Sequence, residues 1–303
     1  MVYTITLNPA LDYVMKVDNL RYDDVNRTSS EALFYGGKGI NVSVILTRLG
    51  IENTALGFVA GFTGAKLEEM LKSDGISCDF THTKTGYTRI NVKVKSKTEL
   101  DINANGPAVD PKEIEDLLKK IDGISSGDYL VMAGSVPQNM PEDIYEQIMQ
   151  RLQDKGINFV VDTTGDLLMN SLKYRPFLVK PNHHELGDLF GVTLENEADV
   201  AKYAKKLIEM GARNVLVSRA GDGAMLVDEN GAIHSMGCAK GKLVNSVGCG
   251  DSMVGGFIAG YSNTKDYGYA LKLGSACGSA TAFSLALATK EEIESVLENG
   301  FDK

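Results

Sequence analysis

Cysteine is scarce and dispersed in this chain of 303 residues. The four cysteines stand at positions 78, 238, 249 and 277, and no C-x-x-C pair occurs. This pattern argues against a disulfide framework and against a cysteine-rich zinc site. Positive charge is not in excess either, because the formal net charge is −9. Such a balance disfavours nucleic acid or an acidic membrane surface as the main partner.

Long hydrophobic runs are also missing. The segment from Met1 to Leu7 has no basic start followed by a long apolar stretch, so we expect no signal peptide. The segment from Leu273 to Ala288 is apolar but too short to span a bilayer, and it predicts a packed core helix. Together with the unpaired cysteines, these features predict a cytoplasmic protein.

Two signatures of nucleotide binding are absent. No G-x-x-x-x-G-K-[ST] segment occurs, so the chain has no Walker A loop. The first predicted strand, Val2 to Leu7, ends in Asn8-Pro9 and not in G-x-G-x-x-G. A dinucleotide-dependent dehydrogenase is therefore disfavoured.

The predicted strands are of two kinds. Apolar and polar residues alternate from Asp12 to Asp18 and from Tyr87 to Lys97, with a continuation from Leu100 to Asn103. This alternation predicts a small, one-sided antiparallel sheet. From Pro111 onward, helices near 111–121, 141–154, 197–210 and 265–299 alternate with uniformly apolar strands at 129–133, 159–161, 177–179 and 215–217.

Strands that are apolar on both faces and separated by helices predict an α/β fold with a doubly wound, mostly parallel sheet. Ligands bind such sheets at the carboxyl ends of the strands. The residues to examine are therefore 134–135, 162–163, 180–182 and 218–219. No linker, repeat or low-complexity tract interrupts the chain, so we expect a single domain over 1–303.

Two glycine clusters each lead into a predicted helix. In the first, Gly36-Gly37-Lys38-Gly39 precedes helical spacing from 40 to 49. In the second, Gly248 and Gly250 precede an apolar helix, whose N-terminal N–H groups favour an anion. Asp251 adds a carboxylate there, as phosphoryl transfer to a hydroxyl requires. Taken alone, each cluster is also consistent with a glycine turn that caps a helix, and for the first cluster that interpretation is favoured.

The two clusters together resemble the signature regions of the PfkB, or ribokinase-like, family of carbohydrate kinases. Further motifs of that family follow in order at 8–12, 88–91, 134–137, 180–185 and 218–223. The resemblance implies a ribokinase-like α/β/α sandwich with a small β-sheet lid, here from about 12–36 and 87–107. It also implies an ATP- and Mg²⁺-dependent phosphotransferase.

The resemblance assigns roles to individual residues. Asp251 is the expected base, and the backbone of Gly248, Cys249 and Gly250 is expected to hold the transferring phosphoryl group. The residues expected to bind the sugar phosphate are Asp12, Gly37 and Asn41 at its hydroxyls and Arg27, Lys38 and Arg89 at its phosphate. The residues expected on the nucleotide side are Lys180, Asn182, Ser218, Arg219, Ala220, Gly221, Asp222, Gly223 and Gly250.

Three residues of this assignment are described separately. Glu185, expected on the same helix face as Asn182, is implied to act on Mg²⁺ through water. Arg27 is also consistent with a solvated loop arginine. Cys249 stands where the family more often has alanine, and its place at a helix N-terminus predicts a lowered thiol pKa. A buried, inert cysteine is the alternative.

Lys38, where many members have asparagine, favours the branch that phosphorylates sugar phosphates. The expected reaction converts D-fructose 1-phosphate to fructose 1,6-bisphosphate, with tagatose 6-phosphate as the alternative substrate. A non-catalytic sugar-phosphate sensor on the same scaffold is the alternative of another class. The apolar face of the lid at Ile90, Val92 and Val94 has little to cover it within one subunit. We therefore expect a homodimer through the lid.

Overall fold

The computed structural model describes residues 1–137 and 140–301. Within these residues the strands are β1 Val2–Thr6, β2 Ala10–Lys16, β3 Ser30–Gly36, β4 Asn53–Ala60, β5 Thr81–Thr83, β6 Arg89–Lys95, β7 Glu99–Ile102, β8 Tyr129–Ala133, β9 Asn158–Asp162, β10 Leu178–Val179, β11 Val215–Ser218, β12 Ala224–Val227 and β13 Ile233–Met236. The α-helices are α1 Lys38–Arg48, α2 Gly61–Ser73, α3 Pro111–Ile121, α4 Ile144–Leu152, α5 Gly165–Ser171, α6 His183–Phe190, α7 Glu197–Glu209, α8 Cys249–Thr264, α9 Tyr267–Phe283 and α10 Lys290–Asn299.

The large sheet has nine strands in the order β13-β12-β11-β10-β9-β8-β1-β4-β5. The seven strands from β11 to β5 are parallel, and the hairpin β12–β13 adds two antiparallel strands at one edge. The expected doubly wound, mostly parallel sheet is confirmed. Because the strands are parallel, their carboxyl ends lie along one edge, where the loops can form a site.

Helices cover both faces of this sheet. Helices α3 to α7 pack on one face, and α1, α2 and α8 to α10 pack on the other. In β8, Leu130 packs into the first layer and its neighbour Val131 into the second, and both are fully buried. Each such side chain contributes about 1.5–3 kcal/mol of burial. Two-sided burial is therefore the reason that these strands are uniformly apolar.

The second sheet is the lid, which we define as β3-β2-β6-β7. Strands β2 and β3 are antiparallel, as are β6 and β7, but β2 and β6 are parallel. The expectation of a wholly antiparallel lid was wrong for this central pair. Ala10 pairs with Arg89 where each strand begins, so both strands run outward from the main body in the same direction.

Two helix boundaries differ from the prediction. The stretch 265–299 forms two helices, because α9 ends at Phe283 and Thr289 caps α10 with Glu292 in a capping box. The stretch 141–154 is helical only from Ile144 and ends in a 3₁₀ turn. The strand β4 and the helix α2 were not predicted from the sequence. No helix within the described residues is long and apolar enough to cross a membrane.

Candidate active site

The strand ends bring together a cluster of opposite charges. Lys180 follows β10, and its Nζ lies 3.3 Å from Oδ1 of Asp162 at the end of β9. Lys38, the first residue of α1, places its Nζ 3.5 Å from the same oxygen. Asp162 and Lys180 are almost fully buried, at 2% and 5% exposure. Both lysine ammonium groups therefore lie beside the same carboxylate oxygen, where they would attract an anionic ligand.

The glycine turn before α8 lies against this cluster. Gly248 caps α8 in the left-handed region, with φ 80°. A Cβ at Gly248 would lie 2.6 Å from Cδ2 of Leu287, and a Cβ at Gly250 would lie 3.1 Å from Nζ of Lys180. The left-handed φ of Gly248 favours glycine, and a side chain at either glycine would press on Leu287 or Lys180. The backbone N–H groups at the start of α8 and a buried ammonium group thus lie side by side.

Asp251 lies in the first turn of α8 and is 6% exposed. Its Oδ2 accepts a hydrogen bond of 2.7 Å from Nδ2 of Asn41 on α1. Burial, followed by repulsion from Asp162, raises the pKa of Asp251 to about 6, although Asn41, Lys38 and Lys180 act in the opposite direction. A carboxylate with this pKa is a stronger base than an exposed one and is still ionised at neutral pH.

We expect turnover to fall as the pH drops through about 6, because protonation removes the base. Loss should approach roughly tenfold per pH unit below that value. Replacing Asn41 by alanine removes a hydrogen bond that lowers the pKa, so the acid limb should move to higher pH. Measuring kcat from pH 5 to 8 for both proteins tests this.

The comparison between the two proteins is the control, because a phosphate group on the substrate also titrates near pH 6 and is the same in both. An acid limb that stays unchanged in Asn41→Ala would mean that the limb does not belong to Asp251.

Lys38 remains charged despite its position. Burial alone would lower the pKa of Lys38, but the negative charges of Asp162, Asp251 and Glu185 together raise it. The side chain is still partly exposed. It can therefore present a full positive charge to a phosphate that enters from solvent.

The expected reactivity of Cys249 is not supported. Burial, followed by the charge of Asp251, raises the pKa of the Cys249 thiol to about 11. The helix N-terminus would lower it, but a thiolate beside a buried carboxylate is disfavoured. The thiol instead donates to the carbonyl of Asn245, 3.6 Å away. Cys249 is therefore a half-buried thiol that hydrogen-bonds to the chain just before its own helix.

The inner face of the lid carries the predicted sugar contacts. Oδ1 of Asp12 accepts a hydrogen bond of 2.8 Å from Nδ2 of Asn91, and Nζ of Lys93 lies 3.6 Å from Oδ2. A Cβ on Gly36 would lie 3.0 Å from the Asp12 carboxylate. Oδ1 of Asn91 is buried and has no partner among the described residues, so it remains an acceptor for a ligand hydroxyl.

Arg89 lies on the same face of β6, at the base of the lid. Its Nε donates to the carbonyl of Asn8 at 3.1 Å, and Nη1 donates to the carbonyl of Ala104 at 3.5 Å. Burial lowers the pKa of Arg89, and the charge of Asp12 partly offsets this effect. Gly37, with φ 127°, makes the turn from the lid into α1.

Within a single chain, Arg27 does not lie beside Lys38 and Arg89. It lies in the loop after β2, beside Val17 and Arg21, and lines a surface cavity of about 300 Å³. That loop leaves the outer end of the lid, about 20 Å from the inner end at Ala10. Its expected contact with the substrate phosphate stays a prediction.

Asn182 and Glu185 are arranged differently from the expectation of a shared helix face. Asn182 is the N-cap of α6, and Oδ1 accepts from the N–H of Glu185 at 2.8 Å. Oε2 of Glu185 accepts in turn from the N–H of Asn182 at 2.8 Å. This capping box satisfies two backbone donors. It leaves the second carboxylate oxygen of Glu185 for another partner.

The predicted nucleotide turn, residues 218–223, lies beside this cap. Ser218 forms a parallel bridge with Asn182, so the two strand ends are held together. The Arg219 guanidinium binds Glu197 at 2.6 Å and the carbonyl of Asp222 at 2.8 Å. This arginine therefore holds the turn in shape. A Cβ on Gly223 would lie 2.0 Å from a backbone oxygen, so only glycine fits there.

Three residues, one in the charge cluster and two on the lid, were not named as site residues from the sequence. Asp162 stood among the strand-end positions to examine, and Asn91 and Lys93 alternate with apolar neighbours on the strand of Arg89. The strand-end position and the alternation can be seen in the sequence, but neither shows how deeply a side chain is buried or which groups it contacts. Oδ2 of Asp162 is buried and has no partner among the described residues, which makes it a candidate for a ligand or an ion-bound water.

Within the ranges 1–137 and 140–301, no group of three or more His, Cys, Asp or Glu side chains is arranged to hold a metal ion. Asp162 and Glu185 nevertheless offer carboxylate oxygens near the lysines. That donor set suits Mg²⁺, which keeps several waters and takes only one or two protein carboxylates beside substrate phosphates.

Known proteins resemble this chain over almost all of its length. The model of the pfkB family of carbohydrate kinases matches residues 2–293. The 1-phosphofructokinase of Bacillus subtilis is 43% identical over 98% of this chain and 97% of its own. The D-tagatose-1-phosphate kinase of Bacillus licheniformis is 36% identical over 97% of this chain and 96% of its own. The phosphofructokinase-2 of Escherichia coli, solved with substrates and products, superimposes with a TM-score of 0.92 at 28% identity over 98% of both chains.

Proposed function

Because the chain belongs to the pfkB family of carbohydrate kinases, we propose that it transfers the γ-phosphoryl group of ATP to D-fructose 1-phosphate and forms fructose 1,6-bisphosphate. One observation carries this proposal. A buried carboxylate with a raised pKa, Asp251, lies at a glycine turn that also faces Lys180. A non-catalytic sensor has no need of that base, and the named relatives are enzymes.

In the proposed reaction, Asp251 accepts the proton of the attacking sugar hydroxyl. Asn41 holds the carboxylate in place by its hydrogen bond. The N–H groups of Gly248, Cys249 and Gly250 stabilise the charge on the transferring phosphoryl group. Lys180 and Lys38 are proposed to add their ammonium groups there, because both lie beside Asp162; for Lys38 this replaces the role at the substrate phosphate that was expected from the sequence. Catalysis then depends mainly on alignment and on charge.

Mg²⁺ would reach the site with the nucleotide. We propose that Asp162 and Glu185 hold it, at least partly through water, on the basis of their open carboxylate oxygens. When bound, the ion neutralises charge on the phosphates. Ser218 to Gly223, together with Lys180 and Asn182, are proposed to bind the rest of the nucleotide.

The substrate class follows from the positions of the cations. A ketose 1-phosphate carries its phosphate at the end opposite the C6 hydroxyl, so the site must hold a second anion away from Asp251. Arg89 and Lys93 supply such charges on the lid. The D-tagatose-1-phosphate kinase among the relatives makes the C4 epimer of fructose 1-phosphate the main alternative, in place of tagatose 6-phosphate.

The test is ADP release from MgATP with a panel of ketose phosphates: fructose 1-phosphate, fructose 6-phosphate, tagatose 1-phosphate and tagatose 6-phosphate. We expect the largest kcat/KM with fructose 1-phosphate. Preference for either 6-phosphate would reject the proposed orientation of the substrate, and release with none of the four would reject the function.

We also propose a homodimer through the lid. The outer face carries Leu33, Ile90 and Ile102, which are 36%, 39% and 56% exposed. Val94 on that face is already buried within the chain, contrary to the expectation of a wholly exposed stripe. Apolar side chains grouped on one lid face favour pairing with a second copy.

Sedimentation at micromolar concentration should therefore give a dimer, and Ile90→Lys should give a monomer. The matched control is Ile233→Lys, since Ile233 is 45% exposed on the edge strand β13 of the large sheet. A wild-type monomer would contradict the proposal. Dissociation of the dimer in the Ile233→Lys control would also contradict it. The E. coli phosphofructokinase-2 has also been solved as a tetrameric inhibited form. Sedimentation of this protein as a tetramer would therefore be a third possible result, and it would contradict a simple dimer.

A further inference from the structure

Arg48, the last residue of α1, makes contacts that the proposed chemistry does not use. Its Nη1 donates to the carbonyl oxygens of Leu287 and Ala288, at 2.5 and 2.7 Å. These carbonyls belong to residues 284–289, the segment between α9 and α10. One guanidinium group thus holds two consecutive carbonyls of a segment with no helical or strand pairing of its own.

The segment 284–289 lies directly behind the glycine turn. The Leu287 side chain fills the space beside Cα of Gly248, where a Cβ would lie only 2.6 Å from Cδ2. The N–H of Ala288 donates to Oγ1 of Thr281 at 3.2 Å, and that oxygen shares a hydrogen bond of 2.9 Å with Oγ of Ser252. The segment therefore supports the first turn of α8 before and after Asp251.

Helix α1 meets this region along a single face. Asn41, Ile45 and Arg48 are spaced by four and three residues, so they lie above one another on the helix. Asn41 donates to the Asp251 carboxylate. A Cβ on Gly255 would lie 3.0 Å from Cβ of Ile45, so α8 passes close to α1 there. Arg48 is the third contact of the same face, and its target is the supporting segment.

We propose that Arg48 is a positioning residue for phosphoryl transfer. Its guanidinium group keeps the segment 284–289 against Gly248, and this contact keeps the backbone N–H groups of the glycine turn aimed at the transferring phosphoryl group. The proposal rests on the proposed kinase function of that turn. Without Arg48, Leu287 can move away from Gly248, and the turn then loses the side-chain contact that restricts its backbone.

The variants are Arg48→Met, which keeps the aliphatic volume, and Arg48→Lys, which keeps the charge but not the planar guanidinium group whose Nη1 makes both contacts. The matched control is Arg213→Met. Arg213 is a half-buried arginine that binds Glu229 at 2.7 Å and Asn158 at 3.2 Å. Asn158 begins β9, so this contact lies at the opposite end of the strand from Asp162.

For Arg48→Met we expect kcat to fall by about 10- to 100-fold, because small misplacements of catalytic groups have effects of that size. The KM for MgATP should rise, whereas the KM for fructose 1-phosphate should change less than about twofold. Millimolar guanidinium chloride, well below denaturing concentration, should restore part of the turnover. Arg48→Lys should lie between the wild type and Arg48→Met. Arg213→Met should lower the melting temperature without any change in kcat and without rescue.

A second readout does not depend on turnover. MgATP should raise the melting temperature of the wild type and of Arg213→Met, and this rise should be smaller in Arg48→Met. Wild-type kcat, wild-type KM and a full MgATP-induced shift in Arg48→Met would overturn the proposal. If the wild type shows no kinase activity but the MgATP shift is still lost in Arg48→Met, the kinase function fails while Arg48 keeps its role at an anion-binding turn.

Discussion

Asp251→Asn should lower kcat by about 10²- to 10⁴-fold, the usual contribution of a general base. The substitution removes a charge and a proton acceptor but hardly any volume. Asparagine can still accept the hydrogen bond from Asn41, so binding of both substrates should be largely retained. Steady-state kinetics together with binding of MgATP measures the two effects separately.

The same substitution should make the protein more stable at neutral pH. The pKa of Asp251 is raised from an ordinary 3.8 to about 6, so ionisation of this group opposes folding. Below about pH 4 the carboxyl is protonated in both the folded and the unfolded chain, and no penalty applies. The penalty develops as the pH rises from about 4 to about 6 and is fully present at pH 7. The melting temperature of Asp251→Asn should therefore exceed that of the wild type at pH 7, and the difference should shrink towards pH 4.

Asp228→Asn is the matched control, because Asp228 is also an almost fully buried aspartate, at 3% exposure. Burial alone would raise the pKa of Asp228, but hydrogen bonds from His234 and from two backbone N–H groups lower it. This substitution should lower the melting temperature at pH 7 and leave kcat unchanged. Near-normal turnover in Asp251→Asn would show that the base is another group.

Arg89→Ala should raise the KM for fructose 1-phosphate by about 10- to 150-fold. This range corresponds to the loss of one charge-assisted hydrogen bond, roughly 1.5–3 kcal/mol. A neutral sugar has no need of a guanidinium group, so the preference for fructose 1-phosphate over fructose should fall by a similar factor. The KM for MgATP should change little. Initial rates with each substrate varied in turn measure all three quantities.

Lys95→Ala is the control for Arg89→Ala. Lys95 lies on the same face of the same strand, but its Nζ binds Glu99 at 2.6 Å and is exposed to solvent. Its removal should leave both KM values within about twofold, because exposed ion pairs contribute little. A rise in the KM for MgATP with an unchanged KM for the sugar phosphate would assign Arg89 to the nucleotide side.

Much of the architecture could be predicted from local patterns. The strand Tyr129–Ala133 was found because all five residues are apolar, and the structure buries them on both faces. The lid strand Arg89–Lys95 was found by alternation. The parallel pairing of β2 with β6 was missed, because alternation reports which face is buried and carries no information on strand direction.

The break between α9 and α10 was missed for a different reason. The segment from Leu273 to Ala288 has no charged residue and no proline, so its composition favours one continuous helix. Residues 284–289 are not helical in the structure, and Ala288 is buried with its N–H bound to Thr281. The local signal was the capping box at Thr289 and Glu292, which marks the start of α10.

By itself the sequence determined the strand types, the two glycine turns and the order of motifs, because each depends on residues close together in the chain. The hydrogen bonds and the pKa values in the site depend on the tertiary structure. Asn41 and Asp251 are 210 residues apart, and their hydrogen bond exists only after α1 packs against α8. Folding also removes Asp251 and the Cys249 thiol from water, and this desolvation is the leading cause that raises both pKa values. Charge placement and desolvation depend on which distant groups meet, and for this reason the position of Cys249 at a helix N-terminus predicted the wrong direction for its pKa.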